Sequence, residues 1–318
     1  MSINGFGHVF ARNPLDRGEV ERRDEKKVER MSNHKSSLFL AIRDLEIPVT
    51  TSGEISLHWM KRSDAFISNE TEGPILLGIK DGIYHYAIRI TVESHPDILI
   101  SKQNLNLKFM DIRTCGQFLS PEDAGIAAQA RIQLYWHERM AFCSVCGSET
   151  FMKRGGQVRK CPGCGTEHFP RTDPVIIVLV HDGDECLLGQ SKGRLQQTNM
   201  YSALAGFMDQ GEAIEEAVAR EVKEEAGIEI MNVRYHSSQP WPLPHSLMIG
   251  CHAEAKTRDI MFDREEMTDV QWFPRNEILK ALSGKSDLLQ IPMTLAIAHH
   301  LIKAWAKQEL IPPYNQGQ

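Results

Sequence analysis

Two pairs of closely spaced cysteines constrain the fold of this chain more than any other feature. The cysteines of each pair are separated by two residues, and fourteen residues lie between the pairs: Cys143 and Cys146, then Cys161 and Cys164. Four thiolates presented by two tight turns form the tetrahedral sulfur shell that zinc prefers. Because protein ligands fill all four positions, a zinc ion there stabilises the fold and leaves no position for a reacting water. The sequence therefore predicts one structural Zn²⁺ per chain, held in a zinc ribbon.

Composition and charge narrow the class of protein. The chain has 318 residues, of which 42% are hydrophobic and 25% charged, and its net charge is −6. An acidic total disfavours binding of nucleic acid or anionic membrane through bulk charge. The longest apolar run, 175–180, is far shorter than the roughly 20 residues of a membrane span, and residues 1–6 lack the pattern of a secretory signal. We therefore expect a cytoplasmic protein without a membrane partner. The cysteines outside the pairs are expected in the core: Cys115, Cys186 and Cys251.

The distribution of apolar runs and turn residues predicts three domains. Short runs with strand character, closed by a helix, predict a mostly β N-terminal domain over residues 1–137. The zinc ribbon is expected over 138–170. Strands alternate with helices beyond the ribbon, which predicts an α/β domain over 171–318. The mixed charges of Arg17–Arg30 predict a solvated helix or a mobile segment.

Turn and capping residues predict individual elements. Asp81-Gly82 between two apolar runs is a hairpin signal, and Ser120 followed by proline is typical of a helix start, here predicted to end near Glu138. A second hairpin is expected around 181–184. The predicted strands cover 37–42, 55–60, 75–79, 83–90, 104–112, 174–180, 186–190, 235–239, 247–255 and 269–273. The other predicted helices cover 212–226, 275–282 and 293–310.

Three glutamates share one face of the helix predicted over 212–226. At 100° per residue, Glu221, Glu224 and Glu225 lie within an arc of about 100°, and Arg220 lies one turn before Glu224. Crowded carboxylates repel one another, so the arrangement calls for a cation between them. Mg²⁺ and Mn²⁺ take oxygen ligands and serve reactions at phosphorus. The pattern therefore predicts a divalent-cation site, with a solvated acidic helix face as the alternative.

The spacing from Gly206 to Ile228 matches the signature of the Nudix hydrolases at every fixed position. That signature is a glycine, five residues, a glutamate, seven residues, and then Arg-Glu, apolar, any, Glu-Glu, any, glycine, apolar. The chain resembles a Nudix hydrolase, which implies an α/β/α sandwich with a mixed sheet. The resemblance also implies that Glu212 supports the loop before the helix. It assigns catalysis and Mg²⁺ or Mn²⁺ binding to Glu221, Glu224 and Glu225.

A proline-rich segment around Trp241 bears on the choice of substrate. Three prolines at alternate positions, 240, 242 and 244, predict a stiff loop that loses little entropy on binding, and Trp241 offers a rigid aromatic face. A structural loop with Trp241 packed in the core is the alternative. The segment 238–246 resembles the S-Q-P-W-P-F-P-x-S motif of the NADH pyrophosphatase branch of the Nudix family. It departs from that motif at Leu243, where phenylalanine is usual, and an apolar side chain is retained.

Other features are similar to the same branch. Asn13-Pro-Leu-Asp-Arg17 resembles its N-terminal motif, and the ribbon precedes the α/β domain as it does there. Glu266, followed by Asp269–Phe273, resembles its late metal-binding glutamate, so the resemblance adds Glu266 to the Mg²⁺ or Mn²⁺ ligands. It also implies aromatic residues that hold the nucleotide, partly across a dimer interface. The expected substrate-binding residues are Phe169, Phe207, Gln239, Trp241, Pro242 and Ser246.

The resemblance to this branch implies a homodimeric NADH pyrophosphatase with structural zinc and catalytic Mg²⁺ or Mn²⁺. The expected reaction hydrolyses NADH to reduced nicotinamide mononucleotide and AMP, and the resemblance adds NAD and the NAD cap of RNA as substrates. A Nudix hydrolase of ADP-ribose or a dinucleoside polyphosphate is the main alternative. A non-catalytic zinc-ribbon protein that binds nucleic acid is the other, because the stretch Met152–Lys160 between the cysteine pairs contains four basic residues: Lys153, Arg154, Arg159 and Lys160.

Overall fold

The computed structural model describes residues 7–63, 73–90, 106–193 and 198–309. Several predictions fall partly or wholly outside these ranges. They are the absence of a secretory signal in residues 1–6, the first two residues of the strand predicted over 104–112, Leu310 at the end of the last predicted helix, and parts of the domains predicted over 1–137 and 171–318. The chain forms two compact units. The amino-terminal unit comprises Val9–Thr172 and Pro240–His245, and the carboxyl-terminal unit comprises Met1–His8, Asp173–Gln239 and Ser246–Gln318.

Two small β-sheets form much of the described part of the amino-terminal unit, which is mostly β in its first half as expected. Their strands are β1 (Leu38–Arg43), β2 (Ile47–Thr50), β3 (Ser56–Leu57), β4 (Met60–Lys61), β5 (Ile75–Lys80), β6 (Ile83–Ile90) and β7 (Leu107–Met110). One sheet has the order β4-β1-β6-β5, with β1 and β6 parallel. The other has the order β3-β2-β7 and is antiparallel. The predicted hairpin at Asp81-Gly82 is confirmed, since β5 and β6 pair antiparallel on either side of it.

Helices close these sheets. Those described in this unit are α1 (Glu25–Ser32), α2 (Ile112–Cys115) and α3 (Pro121–Arg139). The start of α3 is confirmed, because the Ser120 hydroxyl accepts the Asp123 N–H at 3.1 Å. Such a cap satisfies a backbone donor that the helix itself leaves unpaired. The predicted end near Glu138 is correct to one residue.

Arg22 contradicts the expectation that the mixed-charge segment Arg17–Arg30 is solvated throughout. Arg22 is fully buried, and burial lowers its pKa to about 10, which still leaves it charged at neutral pH. A buried cation is tolerated when protein acceptors replace water. The guanidinium donates to four backbone carbonyls, those of Arg17 (2.6 Å), Leu76 (2.5 Å), Arg154 (3.1 Å) and Gly155 (2.9 Å).

The cysteine module folds as a small antiparallel sheet within the amino-terminal unit. Its strands, in the order β10-β9-β8, are β8 (Phe151–Lys153), β9 (Val158–Lys160) and β10 (Glu167–His168). Arg159 of β9 is buried, and its guanidinium donates to the hydroxyl and the carbonyl of Thr150, both at 2.7 Å. The ribbon is therefore tied together by hydrogen bonds as well as by its cysteines.

A larger mixed sheet forms the centre of the carboxyl-terminal unit. Its strands are β11 (Asp173–Asp182), β12 (Glu185–Ser191), β13 (Leu204–Phe207), β14 (Ile230–Trp241), β15 (Ser246–Ala255) and β16 (Met267–Pro274). The last two residues of β14 belong to the amino-terminal unit. The order is β14-β15-β11-β12-β16, and β13 also pairs with β11. β11 is parallel to β15 and antiparallel to β12 and β13. The mixed sheet is therefore confirmed.

Helices cover both faces of this sheet: α4 (Ile214–Ala226), α5 (Arg275–Leu282) and α6 (Ile297–Ala306). Alternate residues of a strand point to opposite faces. On one face Val178 of β11 lies in a buried cluster with Val222 of α4. On the other face Leu179 lies in a cluster with Trp305 of α6. This arrangement confirms the α/β/α sandwich.

Three elements of this unit differ from the sequence prediction, and one of them is β14, which covers Ile230–Trp241 rather than 235–239. The strand β13 was not predicted because Leu204–Phe207 contains alanine and glycine, which have low strand propensity, and pairing with β11 forms it. The last helix begins at Ile297 rather than at 293. At that point the Gln239 side-chain oxygen accepts the Ile297 N–H at 2.8 Å and acts as a cap from another strand.

The remaining general expectations concern cysteines and membrane spans. The three cysteines outside the pairs are buried free thiols, as predicted: Cys115, Cys186 and Cys251. Within the described ranges, no helix combines the length and apolar character needed to cross a bilayer.

Candidate active site and zinc centre

A strand, a loop and a helix carry the glutamates of the carboxyl-terminal unit. The chain leaves β13, turns, and enters α4, which ends where Gly227 adopts a left-handed conformation with φ of 74°. Gly206 of β13 lies against the Glu221 side chain. A Cβ atom at position 206 would lie 2.0 Å from the Glu221 carboxyl carbon. The first glycine of the signature is therefore required by the close approach of a glutamate fifteen residues later.

Arg220 connects the loop to the glutamates. Its Nε and Nη2 atoms donate to the two carboxylate oxygens of Glu212 at 2.6 and 2.8 Å. Its Nη1 donates to Glu221 at 2.8 Å and to Glu224 at 2.9 Å. The bonds from Arg220, with one from the Asp209 N–H at 2.8 Å, lower the pKa of Glu212 to about 2. Glu212 thus supports the loop as expected, and Arg220 orients two of the predicted metal ligands.

Glu221 and Glu225 are buried carboxylates close to other negative charges. Each retains 9% of its exposed surface. Burial raises the pKa of Glu225 to about 8, and repulsion from Glu221, Glu266 and Glu224 contributes to the rise. Burial likewise raises the pKa of Glu221. A cation bound beside these groups would offset both the desolvation and the mutual repulsion.

The four predicted ligands of the catalytic cation share this negative region without forming a closed cluster. In the described part of the chain, the cysteines are the group that brings three or more ligand atoms within 4.8 Å of one another. Glu224 and Glu266 are exposed, and Arg220 bonds to both Glu221 and Glu224. Carboxylate oxygens with free space around them fit a hard ion such as Mg²⁺ or Mn²⁺, which keeps waters and takes substrate oxygens as ligands.

The cysteine centre is closed. Its four sulfur atoms lie within 4.8 Å of one another, with 3.6 Å between Cys143 and Cys164 and 3.4 Å between Cys146 and Cys161. All four are free cysteines. Four mutually adjacent thiols suit a single tetrahedral zinc ion. The structure therefore agrees with the predicted four-cysteine zinc ribbon.

The two halves of this centre, residues 143–148 and 161–166, repeat the same hydrogen bonds. The N–H of the first cysteine donates to the carbonyl five residues later, at 2.8 and 2.9 Å. The N–H of the glycine after the second cysteine donates to the first cysteine's carbonyl, at 2.9 and 3.0 Å. The hydroxyls of Ser148 and Thr166 lie 3.5 and 3.1 Å from the second sulfur and lower the pKa of that thiol. Each half therefore favours the thiolate form of its second cysteine.

His168 is a residue that sequence analysis missed, because a lone histidine has no motif. Its Nε2 lies 3.3 Å from the Cys143 sulfur, and the side chain is buried. His168 and the next residue, Phe169, line a cavity of 420 Å³ in the amino-terminal unit, together with Tyr135 and Arg139. This cavity lies directly beside the cysteine centre.

The predicted substrate-binding residues lie in different environments. Phe169 and Phe207 are 61% and 60% exposed, so each presents a ring to solvent. Trp241 is half-buried and Pro242 is buried. Exposed rings are available for stacking on a base. The remaining predicted contacts are less accessible.

Gln239 and Ser246 are buried, at 0% and 7% exposure. The Gln239 amide nitrogen donates to the Leu295 carbonyl at 2.8 Å, and its oxygen accepts the Ile297 N–H. The structure thus assigns Gln239 to holding the start of α6. Direct contact of either residue with substrate stays a prediction.

Three family models match successive parts of the chain. The NADH pyrophosphatase-like rudimentary NUDIX domain matches residues 36–136, the NADH pyrophosphatase zinc ribbon domain matches 139–169, and the NUDIX domain matches 170–291. Together they span both compact units. The glutamates and the cysteine centre each fall inside one of these matches.

Curated relatives extend this similarity to nearly the whole chain. The human NAD-capped RNA hydrolase NUDT12 is 35% identical over 94% of this chain and 73% of its own length. The NAD-capped RNA hydrolase NudC of Mycobacterium bovis is 34% identical over 74% of this chain and 76% of its own. The mitochondrial NAD(P)H pyrophosphatase NUDT13 of Mus musculus is 40% identical over 63% and 59%, respectively.

Proposed function

The chain belongs to the Nudix hydrolase family, in its NADH pyrophosphatase branch, and we propose that it hydrolyses the diphosphate bond of NADH and NAD. The products are reduced or oxidised nicotinamide mononucleotide and AMP. We include the NAD cap of RNA among the substrates, because two of the relatives described above are NAD-capped RNA hydrolases. The observation that carries the proposal is the intact arrangement of Arg220 with Glu212, Glu221 and Glu224, since a purely binding domain has no need of it.

Catalysis is assigned to Glu221, Glu224 and Glu225, with Glu266 as a further ligand of Mg²⁺ or Mn²⁺. When bound, such an ion supplies positive charge to the phosphate oxygens and activates water. Arg220 holds Glu221 and Glu224 in place through its Nη1 hydrogen bonds. Glu225 is held at its Oε2 by the Ala205 N–H at 3.2 Å. These contacts fix the carboxylates before substrate arrives, which reduces the reorganisation required during reaction.

Recognition of the base and nicotinamide rings is assigned to Phe169, Phe207 and Trp241, with Pro242 stiffening the loop. Support comes from the two exposed phenylalanine rings, because an exposed aromatic face is available for stacking on a base. We also propose a homodimer in which such rings contribute across the interface. Light scattering on the purified protein tests this: a monomer at micromolar concentration would contradict it.

The structure disfavours a nucleic-acid-binding role for the ribbon alone. Arg159 is buried, and the other three basic residues of the stretch Met152–Lys160 have acidic partners within the amino-terminal unit. The ion pairs are Lys153–Glu25 (2.9 Å), Arg154–Glu19 (2.6 Å) and Lys160–Glu167 (3.8 Å). Phosphate binding relies on basic side chains that are free to exchange counterions for the backbone. Here those charges are already matched.

A reducing compartment, the cytoplasm, suits the four thiols of the ribbon. All seven cysteines of the chain are free, and zinc binding requires reduced thiolates. We therefore propose a cytoplasmic location, which imaging of the tagged protein in intact cells tests.

A side-by-side assay tests the proposed function. Purified protein is incubated with NADH, ADP-ribose, a dinucleoside polyphosphate and NAD-capped RNA, with Mg²⁺ or Mn²⁺, and products are separated by chromatography. We expect NADH and NAD-capped RNA to be cleaved with the higher kcat/KM, and EDTA to abolish turnover. Higher kcat/KM with ADP-ribose or a dinucleoside polyphosphate would favour the alternative Nudix activity.

A further inference from the structure

A short segment near the start of the amino-terminal unit has an unusual backbone. Phe10 and Arg12 have φ angles of 71° and 64°, in the left-handed region that favours glycine. Phe10 is also 2% exposed. A bulky buried residue with positive φ is strained, and such strain persists only where the surrounding structure imposes it. The contacts that hold Phe10 and Arg12 in this conformation are therefore informative about the role of the segment.

Two glycines shape the groove that holds the segment. A Cβ atom at Gly116, after α2, would lie 2.7 Å from two ring atoms of Phe10. A Cβ atom at Gly125, in α3, would lie 2.7 Å from the Ala11 carbonyl oxygen and the Asn13 nitrogen. The segment therefore packs directly against Gly116 and Gly125, and any side chain at either position would displace it.

The Asn13 side chain fastens the segment to α3. Its amide nitrogen donates to the Gly125 carbonyl at 3.2 Å and to the Gln129 side-chain oxygen at 2.7 Å. Its side-chain oxygen accepts the Leu15 N–H at 3.0 Å. Asn13, the first residue of the motif 13–17, therefore anchors the segment that carries Phe10.

Phe10 in turn contacts the proline-rich loop. Its ring meets the Trp241 ring edge to face, with 6.0 Å between centroids and an interplanar angle of 75°. From α3, Arg131 donates to the Pro242 carbonyl, and one turn later the Tyr135 ring lies 5.5 Å from that of His245. All of these residues belong to the amino-terminal unit. Trp241 and the turn after it are thus held from two sides.

We propose that Phe10 and Arg131 are positioning residues that set the orientation of Trp241, and so the affinity for the dinucleotide, without touching it. This inference rests on the proposed function, in which Trp241 contacts a ring of the substrate. The proposal gives the amino-terminal unit a role in recognition. The alternative is that Phe10 only fills the core, in which case its loss lowers stability and leaves KM unchanged.

The test uses the full chain and two variants, Phe10→Leu and Arg131→Met, with Phe118→Leu as the matched control. Phe118 is 59% exposed and lies in the same unit. An edge-to-face pair supports an effect of roughly three- to tenfold. We therefore expect KM for NADH to rise by about that factor in each variant, with kcat changed less than about twofold. Zinc content stays at one per chain, and the control retains its KM.

A double-mutant cycle with Trp241→Ala separates positioning from packing. If Phe10 acts through Trp241, Phe10→Leu raises KM by less than about twofold when Trp241 is already alanine. An equal rise in both backgrounds overturns the inference. If Phe10→Leu folds poorly, the same double-mutant cycle is measured with Arg131→Met and Trp241→Ala, because Arg131 is only partly buried.

Failure of the inference differs from failure of the proposed function. Normal NADH turnover with KM unchanged in both folded positioning variants, but raised in Trp241→Ala, overturns the inference alone. KM unchanged in Trp241→Ala overturns the recognition role of Trp241 and the inference with it. Absence of NADH turnover in the unaltered chain overturns the proposed function and the inference together.

Discussion

In the cysteine centre four sulfur atoms lie within 4.8 Å of one another, whereas the glutamates of the carboxyl-terminal unit form no such group in the described residues. The cysteines come from two short turns with repeated hydrogen bonds, so each ligand is fixed by its own backbone. The glutamates come from one helix and a distant turn, and Arg220 bonds to two of them. The sulfur ligands of the cysteine centre are therefore already close enough to hold one ion. The carboxylates of the carboxyl-terminal unit are oriented by Arg220 but are not yet gathered around one point.

The difference follows from the task of each region. A structural ion is bound once and contributes its free energy to folding. A catalytic ion exchanges ligands with substrate and water, so its carboxylates need free space and a partner such as Arg220 that holds them meanwhile. If this comparison is correct, changing a ligand in one region alters stability, and changing a ligand in the other alters turnover.

The largest expected effect is on zinc and stability. Cys161→Ser should lose the zinc ion and unfold the ribbon, because structural zinc contributes on the order of 10 kcal/mol in small zinc domains. Metal analysis and thermal unfolding measure this, with Cys251→Ser as the control that keeps zinc. Absence of zinc from freshly purified, fully reduced protein would contradict the assignment of the cysteine centre as a structural zinc site.

The next effect is on turnover. Glu225→Gln keeps the shape of the side chain and removes a negative charge, so kcat should fall roughly 10²- to 10³-fold, a loss typical of one electrostatic group. The thermal midpoint and zinc content should remain near those of the unaltered chain. Glu215→Gln, an exposed position on the same helix, is the matched control. Unchanged NADH hydrolysis in Glu225→Gln would contradict the carboxylate mechanism.

A smaller effect separates recognition from catalysis. Trp241→Ala should weaken NADH binding roughly ten- to a hundredfold, because one stacked ring contributes about 1–3 kcal/mol. The value of kcat should change less. Trp59→Ala, another half-buried tryptophan of the same unit, should cost stability without changing Kd. A Trp241→Ala protein that melts much earlier yet binds NADH normally would make Trp241 a packing residue.

The smallest effect concerns acid. Burial lowers the pKa of His8 and His252 to about 4 and that of His236 to about 3. Because the ordinary value is about 6.5, the unfolded chain binds more protons, and stability present above pH 6.5 is lost as the pH falls toward 4. Each of these buried histidines adds up to about 1.4 kcal/mol per pH unit.

Denaturant unfolding between pH 7 and 5 measures this slope. His8→Asn should reduce the slope of unfolding free energy against pH by up to the contribution of one titrating group. His34→Asn, at an exposed position, should leave the slope unchanged. Equal slopes in His8→Asn and the unaltered chain would show that His8 does not titrate on unfolding.

Sequence alone predicted those features whose physical cause is local. The α3 start depends on Ser120 and its neighbours, the hairpin on Asp81-Gly82, and the ribbon on two identical turns. The glutamate face followed from the angle between successive helical residues. Each of these signals lies within a few residues of the element that it predicts.

Features that depend on distant partners were not predictable in this way. The burial of Arg22 requires carbonyls at positions 76, 154 and 155, and an arginine among other charges gives no sign of them. Gln239 resembles a ligand residue in its motif, yet its amide is used by Leu295 and Ile297. The strand β13 exists because β11 offers it a pairing edge.

The buried Arg22 has a consequence for how this protein could be divided or recombined. Its guanidinium donates to carbonyls of the N-terminal segment, of β5 and of the turn between β8 and β9. Each of these segments therefore supplies part of the hydrogen bonding that replaces water around the buried Arg22 charge. A ribbon excised from the chain would take two of the acceptors away and leave the charge underpaired. The ribbon therefore cannot be exchanged freely for another. A replacement ribbon must place two backbone carbonyls where those of residues 154 and 155 now accept hydrogen bonds from Arg22.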